Sequence, residues 1–431
     1  LIVRQPLVPT PMILGGDQEK GGWILLLSLL YVVGCTEIDP IDGERDIKHT
    51  IIVYMAADNN LSGYVEDNVG KMRLAMNSEL SKNNNLIVYV DKYKVKPYIL
   101  SIHDHKVDTV AHFDEMNSTN SKVLASVVEE IVDKFPSPSY GLIMWSHGSG
   151  WLNQNSLSYI SSNIFGAQLR GDIAGDVINS GFAPLSSWIR DPYKPVETKA
   201  FGYEQREGAT WMEIPDMVKA LPDNRFDYIM FDACSMANIE VVYALRNKSD
   251  YFIGSALEIL AYGFPYDKII EPLCKGEYSK VCQSFYDEYN QYSGADKTAG
   301  VALVNNVEID SLANCFKKVV SIYSDSIENV DLSKVQRMDR YNRVVSFDMV
   351  DYMMELIPNN ELLIQEFTEQ FNRAVPYRIC TPRYLDIFDV EAYSGLSMYV
   401  PLLQYKSAIT PYYLETEWSK FTGFGQYLFI N

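Results

Sequence analysis

A chain of 431 residues, 47% hydrophobic and 22% charged, is long and apolar enough to bury a large core, which excludes a wholly disordered or collagen-like protein. Its 37 basic against 56 acidic side chains leave a formal charge of -19, which would repel a phosphate backbone and excludes a general nucleic-acid footprint. Six cysteines, none in a Cys-Xaa-Xaa-Cys pair, support neither a zinc or redox motif nor a disulfide scaffold, so the fold must rest on packing.

Near the N-terminus an apolar run, Ile24 to Val33, is too short for the roughly 18 residues of a membrane-spanning helix but suits a signal peptide. It ends in Val32-Val33-Gly34-Cys35, which resembles a bacterial lipobox. Residues 1–35 are therefore expected to direct export, with Cys35 carrying the lipid that holds the protein to the cell envelope. Residues 36–48 read as an acidic tether.

Beyond the tether, Ile51–Ala57, Leu86–Asp91, Gly141–Ser146 and Asp227–Ala233 are short, continuously apolar runs, the pattern of strands covered on both faces. Helical spacing appears between them, over Ser118–Phe135 and Trp211–Leu221. Alternation of strand and helix predicts an α/β fold with a mostly parallel central sheet covered by helices on both sides. Tyr98–His103 and Lys106–His112 read as an accessory antiparallel hairpin turning at Asp104-His105. Residues 49–296 form the expected core, interrupted by a Ser-, Asn-, Gly- and Pro-rich loop at 151–208 that is too long for an ordinary connector. Residues 297–431 are expected to form a C-terminal α/β subdomain, with strands at Gly300–Val304 and Gly395–Pro401 and helices at Ser311–Ile327 and Glu361–Ala374.

Two of the apolar runs end in reactive side chains. Gly141-Leu-Ile-Met-Trp-Ser-His147-Gly148 delivers a histidine and a glycine to the carboxyl end of a strand, where ligands bind in open α/β sheets. Gly148 permits a close backbone turn there. Asp227-Tyr-Ile-Met-Phe-Asp232-Ala233-Cys234 repeats the design with a thiol. A helical segment, Met236–Leu245, follows at once, so Cys234 is expected near a helix N-terminus, a setting that lowers a thiol's pKa.

This pair of strand-borne motifs, His147-Gly148 and Asp232-Ala233-Cys234, resembles the clostripain family of cysteine peptidases, relatives of caspases and gingipains. Tyr54-Met-Ala-Ala-Asp58-Asn59-Asn60-Leu61, Ile253-Gly254-Ser255, Gly263-Phe-Pro-Tyr266 and Gly395-Leu-Ser-Met-Tyr-Val-Pro401 extend the resemblance over about residues 51–401. It implies a caspase-like sandwich and an endopeptidase needing no cofactor for its chemistry, with Cys234 as nucleophile, His147 as its acid–base partner and the N–H groups of Gly148 and Cys234 as an oxyanion site. Asp232 matches the acid that would pair with a basic residue before the scissile bond. The place of a second acid is taken by Pro265, and Glu258 is the candidate substitute. Cleavage between the two motifs activates many family members, which makes Lys194 and Lys199 candidate self-cleavage sites. Calcium dependence, known for some relatives, is left open, with Asp58, Glu66 and Asp67 read as helix-surface charge.

Two rival readings use other residues. His103-Asp104-His105 offers two imidazoles on a hairpin but no third or fourth metal ligand at useful spacing, so no metal site is expected. A non-catalytic lipoprotein with the same fold would bind peptide or glycan, and the 30 tyrosines suit such contacts.

Overall fold

The first apolar run is strand β1 (His49–Ala57), buried at every position. Ile52, Tyr54 and Ala56 enter one hydrophobic core, and Ile51, Val53, Met55 and Ala57 enter a second, because successive side chains on a strand point to opposite faces. Such a strand has no solvated face, so its sequence shows an unbroken apolar run instead of alternation. The computed structural model describes residues 45–152, 201–204, 210–340, 344–357, 359–400 and 409–427, all of them in one compact unit, Glu37–Asn431.

The further strands in chain order are β2 (Asn84–Lys92), β3 (Val95–His103), β4 (Lys106–His112), β5 (Tyr140–Trp145), β6 (Phe201–Glu204), β7 (Thr210–Met212), β8 (Phe226–Asp232), β9 (Ser249–Gly254), β10 (Gly300–Asn305), β11 (Ser346–Asp348), β12 (Tyr377–Cys380), β13 (Arg383–Tyr384), β14 (Phe388–Asp389) and β15 (Ser397–Tyr399). Nine of them form one sheet in the order β12-β10-β9-β8-β5-β1-β2-β3-β4. The five central strands β9-β8-β5-β1-β2 are parallel, and the two outer strands on each side are antiparallel. The expected hairpin is β3–β4, and Asp104 (φ 45°) and His105 (φ 59°) make its two-residue turn with positive φ at both positions.

Helices cover both faces. α1 (Val65–Ala75) is followed by the short α2 (Ser78–Asn83). α3 (Ser121–Lys134) starts where the Asn120 side chain accepts from Lys122 N–H, and turns Leu124, Val127, Val128 and Ile131 into the first core, each burial stabilising by about 1.5–3 kcal/mol. α4 (Ile214–Ala220) and α5 (Ile239–Leu245) cover the same face, while α6 (Tyr266–Cys274) and α7 (Tyr278–Asn290) cover the other. α8 (Ile309–Ile322), α9 (Met349–Leu356) and α10 (Glu361–Ala374) complete the first side.

The segment beyond residue 297 does not stand apart from the core. β10 and β12 extend the main sheet, and β11 and β15 pair beside it, with Ser397 bridged to Asn238. The end of the expected tether is fastened, since Arg45 donates to Ser81 O (2.8 Å) and Asn85 Oδ1 (2.9 Å). Cys35, Lys194 and Lys199 lie outside the described residues. At the end of the expected loop, β6 pairs with β7, which lies just beyond it, in a small antiparallel sheet. No helix among the described residues is long and apolar enough to cross a membrane.

Candidate active site

β8, β5 and β1 are adjacent and parallel, so their carboxyl ends open on one edge of the sheet. Trp145 pairs with Asp232 in register, and His147 and Cys234 each lie two residues past that pair. Ser146 N–H donates to Asp232 O (3.3 Å), carrying the pairing one step further. Both side chains line one cleft, together with Leu61, Asp232, Ile259, Leu260, Ala261 and Gly263. At Gly148 a Cβ would sit 2.5 Å from the Cys234 carbonyl oxygen, so only glycine lets the two peptide segments approach. Gly202 N–H donates to His147 O (2.9 Å), and Phe201 bridges Gly148, which ties the histidine turn to β6.

His147 is buried, and its Nε2 donates to Asn60 Oδ1 at 2.7 Å. Desolvation pulls its pKa down to about 4. The Cys234 thiol departs from expectation. Helix α5 begins only at Ile239, and its N-terminus is capped by the Asn238 side chain, which accepts from Val241 N–H. The intervening chain turns away at Ser235 (φ 57°) and is held along the next loop by Ser235 N–H to Leu257 O (2.9 Å) and Ala237 N–H to Ser255 O (2.8 Å). Cys234 is therefore not at the N-terminus of that helix. Instead Ile259 N–H donates to Sγ (3.3 Å) and the thiol donates to Ile259 O (3.5 Å). Burial, reinforced by the Glu258 carboxylate, pushes the thiol up to about 12. Both groups are therefore neutral at pH 7 in this state.

Asp232 is the only carboxylate among the described residues that line the cleft. Its Oδ2 accepts from Phe264 N–H (3.1 Å) and Tyr266 OH (2.9 Å), and burial raises its pKa to about 6 despite those donors. Gly263, at φ 70°, passes so close that a Cβ there would lie 2.5 Å from Oδ2. Glu258 lines a different cleft, on which Cys234 also opens with Gly148, Trp151, Asn238 and Tyr399. Its carboxylate is engaged by Arg340 Nε (2.8 Å). The structure thus brings His147, Cys234 and Asp232 to one cleft, while Gly148 and Glu258 line the second cleft, on which Cys234 also opens.

Asn60, Ile259 and Tyr266 touch the site without having been assigned roles from the sequence. An exposed loop amide and a backbone contact carry no one-dimensional signal, although Asn60 and Tyr266 fall in the segments that resemble the family. Asp58 also differs from expectation: it is fully buried, not on a helix surface, and its carboxylate lies within 4.8 Å of those of Asp91 and Glu204. Glu66 and Asp67 are on α1, paired with Lys92 and Lys71. Three carboxylates suit a hard cation, but each has other partners in the fold and the cluster carries no metal assignment. His103, Asp104 and His105 are engaged separately by Asp108, Ser78 and Arg73 O.

A comparison with protein-family models matches Peptidase_C11, the clostripain family, over residues 53–166 and 186–389, well over half of the chain. The chain belongs to the clostripain family. Its fold is the caspase-like α/β sandwich with a mostly parallel central sheet, and it is a cysteine-type endopeptidase acting on peptide or protein substrates. Among solved structures, an inactive zymogen C11 protease from Parabacteroides distasonis is 26% identical, covers 88% of this chain and 99% of its own, and superposes with a TM-score of 0.67. A secreted C11 cysteine protease from Bacteroides thetaiotaomicron, in complex with an irreversible peptide inhibitor, is 25% identical over 87% of this chain and 99% of its own, with a TM-score of 0.69. No curated protein matches the chain. The reading as a non-catalytic binding protein is set aside.

Proposed function

We propose that this clostripain-family peptidase cleaves after basic residues, Arg or Lys, with Cys234 as nucleophile and His147 as acid–base partner. The observation that carries the reading is the single cleft shared by the thiol, the imidazole and one buried carboxylate. As the sulfur attacks the peptide carbonyl carbon, its proton passes to the imidazole. Gly148 and Cys234 N–H groups stabilise the oxyanion, each donor contributing about 3 kcal/mol. The imidazolium then protonates the leaving amine. Water, deprotonated by the same imidazole, hydrolyses the thioester and restores the thiol. Thiol and imidazole suffice for this chemistry without a cofactor.

Because both groups rest neutral, nucleophile formation coincides with attack, and substrate must displace the Ile259 contacts on the sulfur. Asp232, ionised above about pH 6, supplies the counter-charge for the substrate's basic side chain. Glu258, paired with Arg340 on the neighbouring cleft, would have to leave that ion pair to act as the second acid. Self-cleavage after Lys199 or Lys194 fits the same preference. Export and lipidation at Cys35 are supported by the lipobox-like end of the apolar run and by the secreted description of the Bacteroides relative. Retention of a mass shift for a lipid in Cys35→Ser would overturn the anchor. The test of the main reading is cleavage of a peptide library by wild type and Cys234→Ala. Cuts after Arg and Lys, all lost in the variant, are expected. Residual cutting by the variant refutes the nucleophile, and indifference to the residue before the cut refutes the role of Asp232.

A further inference from the structure

A third side chain reaches the catalytic imidazole from the strand next to it. β1 ends at Ala57, and the turn that follows is built on Asn59, which is buried. Its Nδ2 donates to Ala56 O (3.0 Å) and to Tyr203 O of β6 (2.9 Å), and its Oδ1 accepts from Leu61 N–H (2.8 Å). Asn59 N–H donates to Ala57 O (2.7 Å) and Ser62 N–H to Asn59 O (3.1 Å). The residues on both sides of Asn60 are thereby fixed, and Leu61 is itself a wall of the cleft. Asn60 is exposed, yet its backbone has no freedom to swing away, and its Oδ1 stands 2.7 Å from His147 Nε2.

An amide oxygen only accepts. With Oδ1 as partner, Nε2 must carry the proton, which leaves the ring's basic lone pair on Nδ1. We propose that Asn60 is a positioning residue that fixes the His147 tautomer and ring orientation so that Nδ1 is the atom that takes the Cys234 proton. This rests on the reading of His147 as the acid–base group. The amide acts through the ring: it orients the neutral base and, by accepting from Nε2–H, favours the imidazolium formed when the proton moves. β6 contributes from behind, since Gly202 N–H holds His147 O while Tyr203 O holds Asn59. One short strand thus clamps both ends of the Asn60–His147 hydrogen bond.

The test compares wild type, Asn60→Ala, Asn60→Asp and His147→Ala in the full-length protein, reading kcat, KM and pH profile on a lysyl peptide. Asn60→Ala is expected to lower kcat about tenfold to a hundredfold with KM within about threefold, because only the acid–base partner is disturbed. Its Tm should stay close to that of wild type, since the side chain is exposed. Asn60→Asp can still accept from Nε2–H, so kcat should recover to within about fivefold of wild type. The added charge beside the ring should also move the imidazole-dependent limb to higher pH by about one unit. Cys234 and Asp232, the other titratable groups on the cleft, are the same in these variants, so the shift reports on Asn60. Wild-type kcat and pH profile in Asn60→Ala would overturn the proposal. So would an Asn60→Asp variant as slow as Asn60→Ala, because Asn60 would then be acting as a donor. His147→Ala separates the two readings: if it stays active, the imidazole assignment fails, whereas a dead His147→Ala beside an unimpaired Asn60→Ala overturns the positioning role alone.

Discussion

The three central strands β1, β5 and β8 carry a polar trio at each end. At the carboxyl ends stand Asn60, His147 and Cys234. At the amino ends stand His49, Ser139 and Asp227, with His49 Nδ1 2.6 Å from Ser139 Oγ and Ser139 Oγ donating to Asp227. By residue type the amino-end trio looks more like a hydrolase site than the carboxyl-end one. The direction of its hydrogen bonds says otherwise: the serine proton goes to the carboxylate, so Oγ accepts from the imidazole and is not activated by it. Neither of the two clefts that Cys234 lines reaches this end. Chemistry depends on where protons point and on open backbone beside the reactive atom, and a list of residue types contains neither.

The largest effect that would sharpen this contrast is at Gly148. A Cβ 2.5 Å from Cys234 O cannot be accommodated without moving backbone, so Gly148→Ala should cost about a hundredfold or more in kcat/KM. Near-normal turnover would show that the close approach of the two turns is dispensable. Next is Asp232→Asn, which keeps an oxygen for Phe264 N–H and Tyr266 OH but removes the charge. We expect about a hundredfold loss on lysyl and arginyl peptides and little change on neutral ones, and an equal loss on both would deny the charge pairing.

The pH dependence follows from the same residue. The Asp232 carboxyl, raised to about 6, loses its charge as pH falls, so kcat/KM on a basic peptide should drop through pH 6. In Asp232→Asn that limb should vanish, leaving one near pH 4 from His147. A limb that stays at pH 6 would assign it elsewhere.

The smallest effect is at the amino ends. Ser139→Ala should cost about 1 kcal/mol of stability and leave kcat unchanged. Burial holds the His49 pKa below its unfolded value, so the penalty for keeping it neutral appears as pH drops below about 6.5 and grows until the lower folded pKa is reached. The change in urea midpoint between pH 7.5 and 5, compared in wild type and His49→Gln, would measure it. A drop in turnover for Ser139→Ala would break the distinction between the two ends.

The strands were legible because a doubly covered parallel strand leaves an unbroken apolar run, and β1, β2, β5 and β8 each fall within two residues of the expected bounds. His147 and Cys234 were legible because each follows such a run. What could not be read was what folds back over them. The loop at 255–263 crosses the thiol and reverses its expected acidity, and no local pattern at Cys234 records Ile259. Asn59 and Asn60 are identical side chains side by side, and only the sheet decides that one is the buried anchor and the other faces the imidazole. Asp58 looked like surface charge because Asp91 and Glu204, its neighbours in space, come from two other strands.

The proposed nucleophile is one sulfur among the protein's cysteines. A peptidyl chloromethyl ketone ending in lysine, followed by mass-spectrometric mapping, tests it directly against Cys234, Cys274, Cys282, Cys315 and Cys380, all free thiols. One equivalent is expected on Cys234, formed in step with loss of activity and abolished in His147→Ala. Complete inactivation with Cys234 unmodified would contradict it.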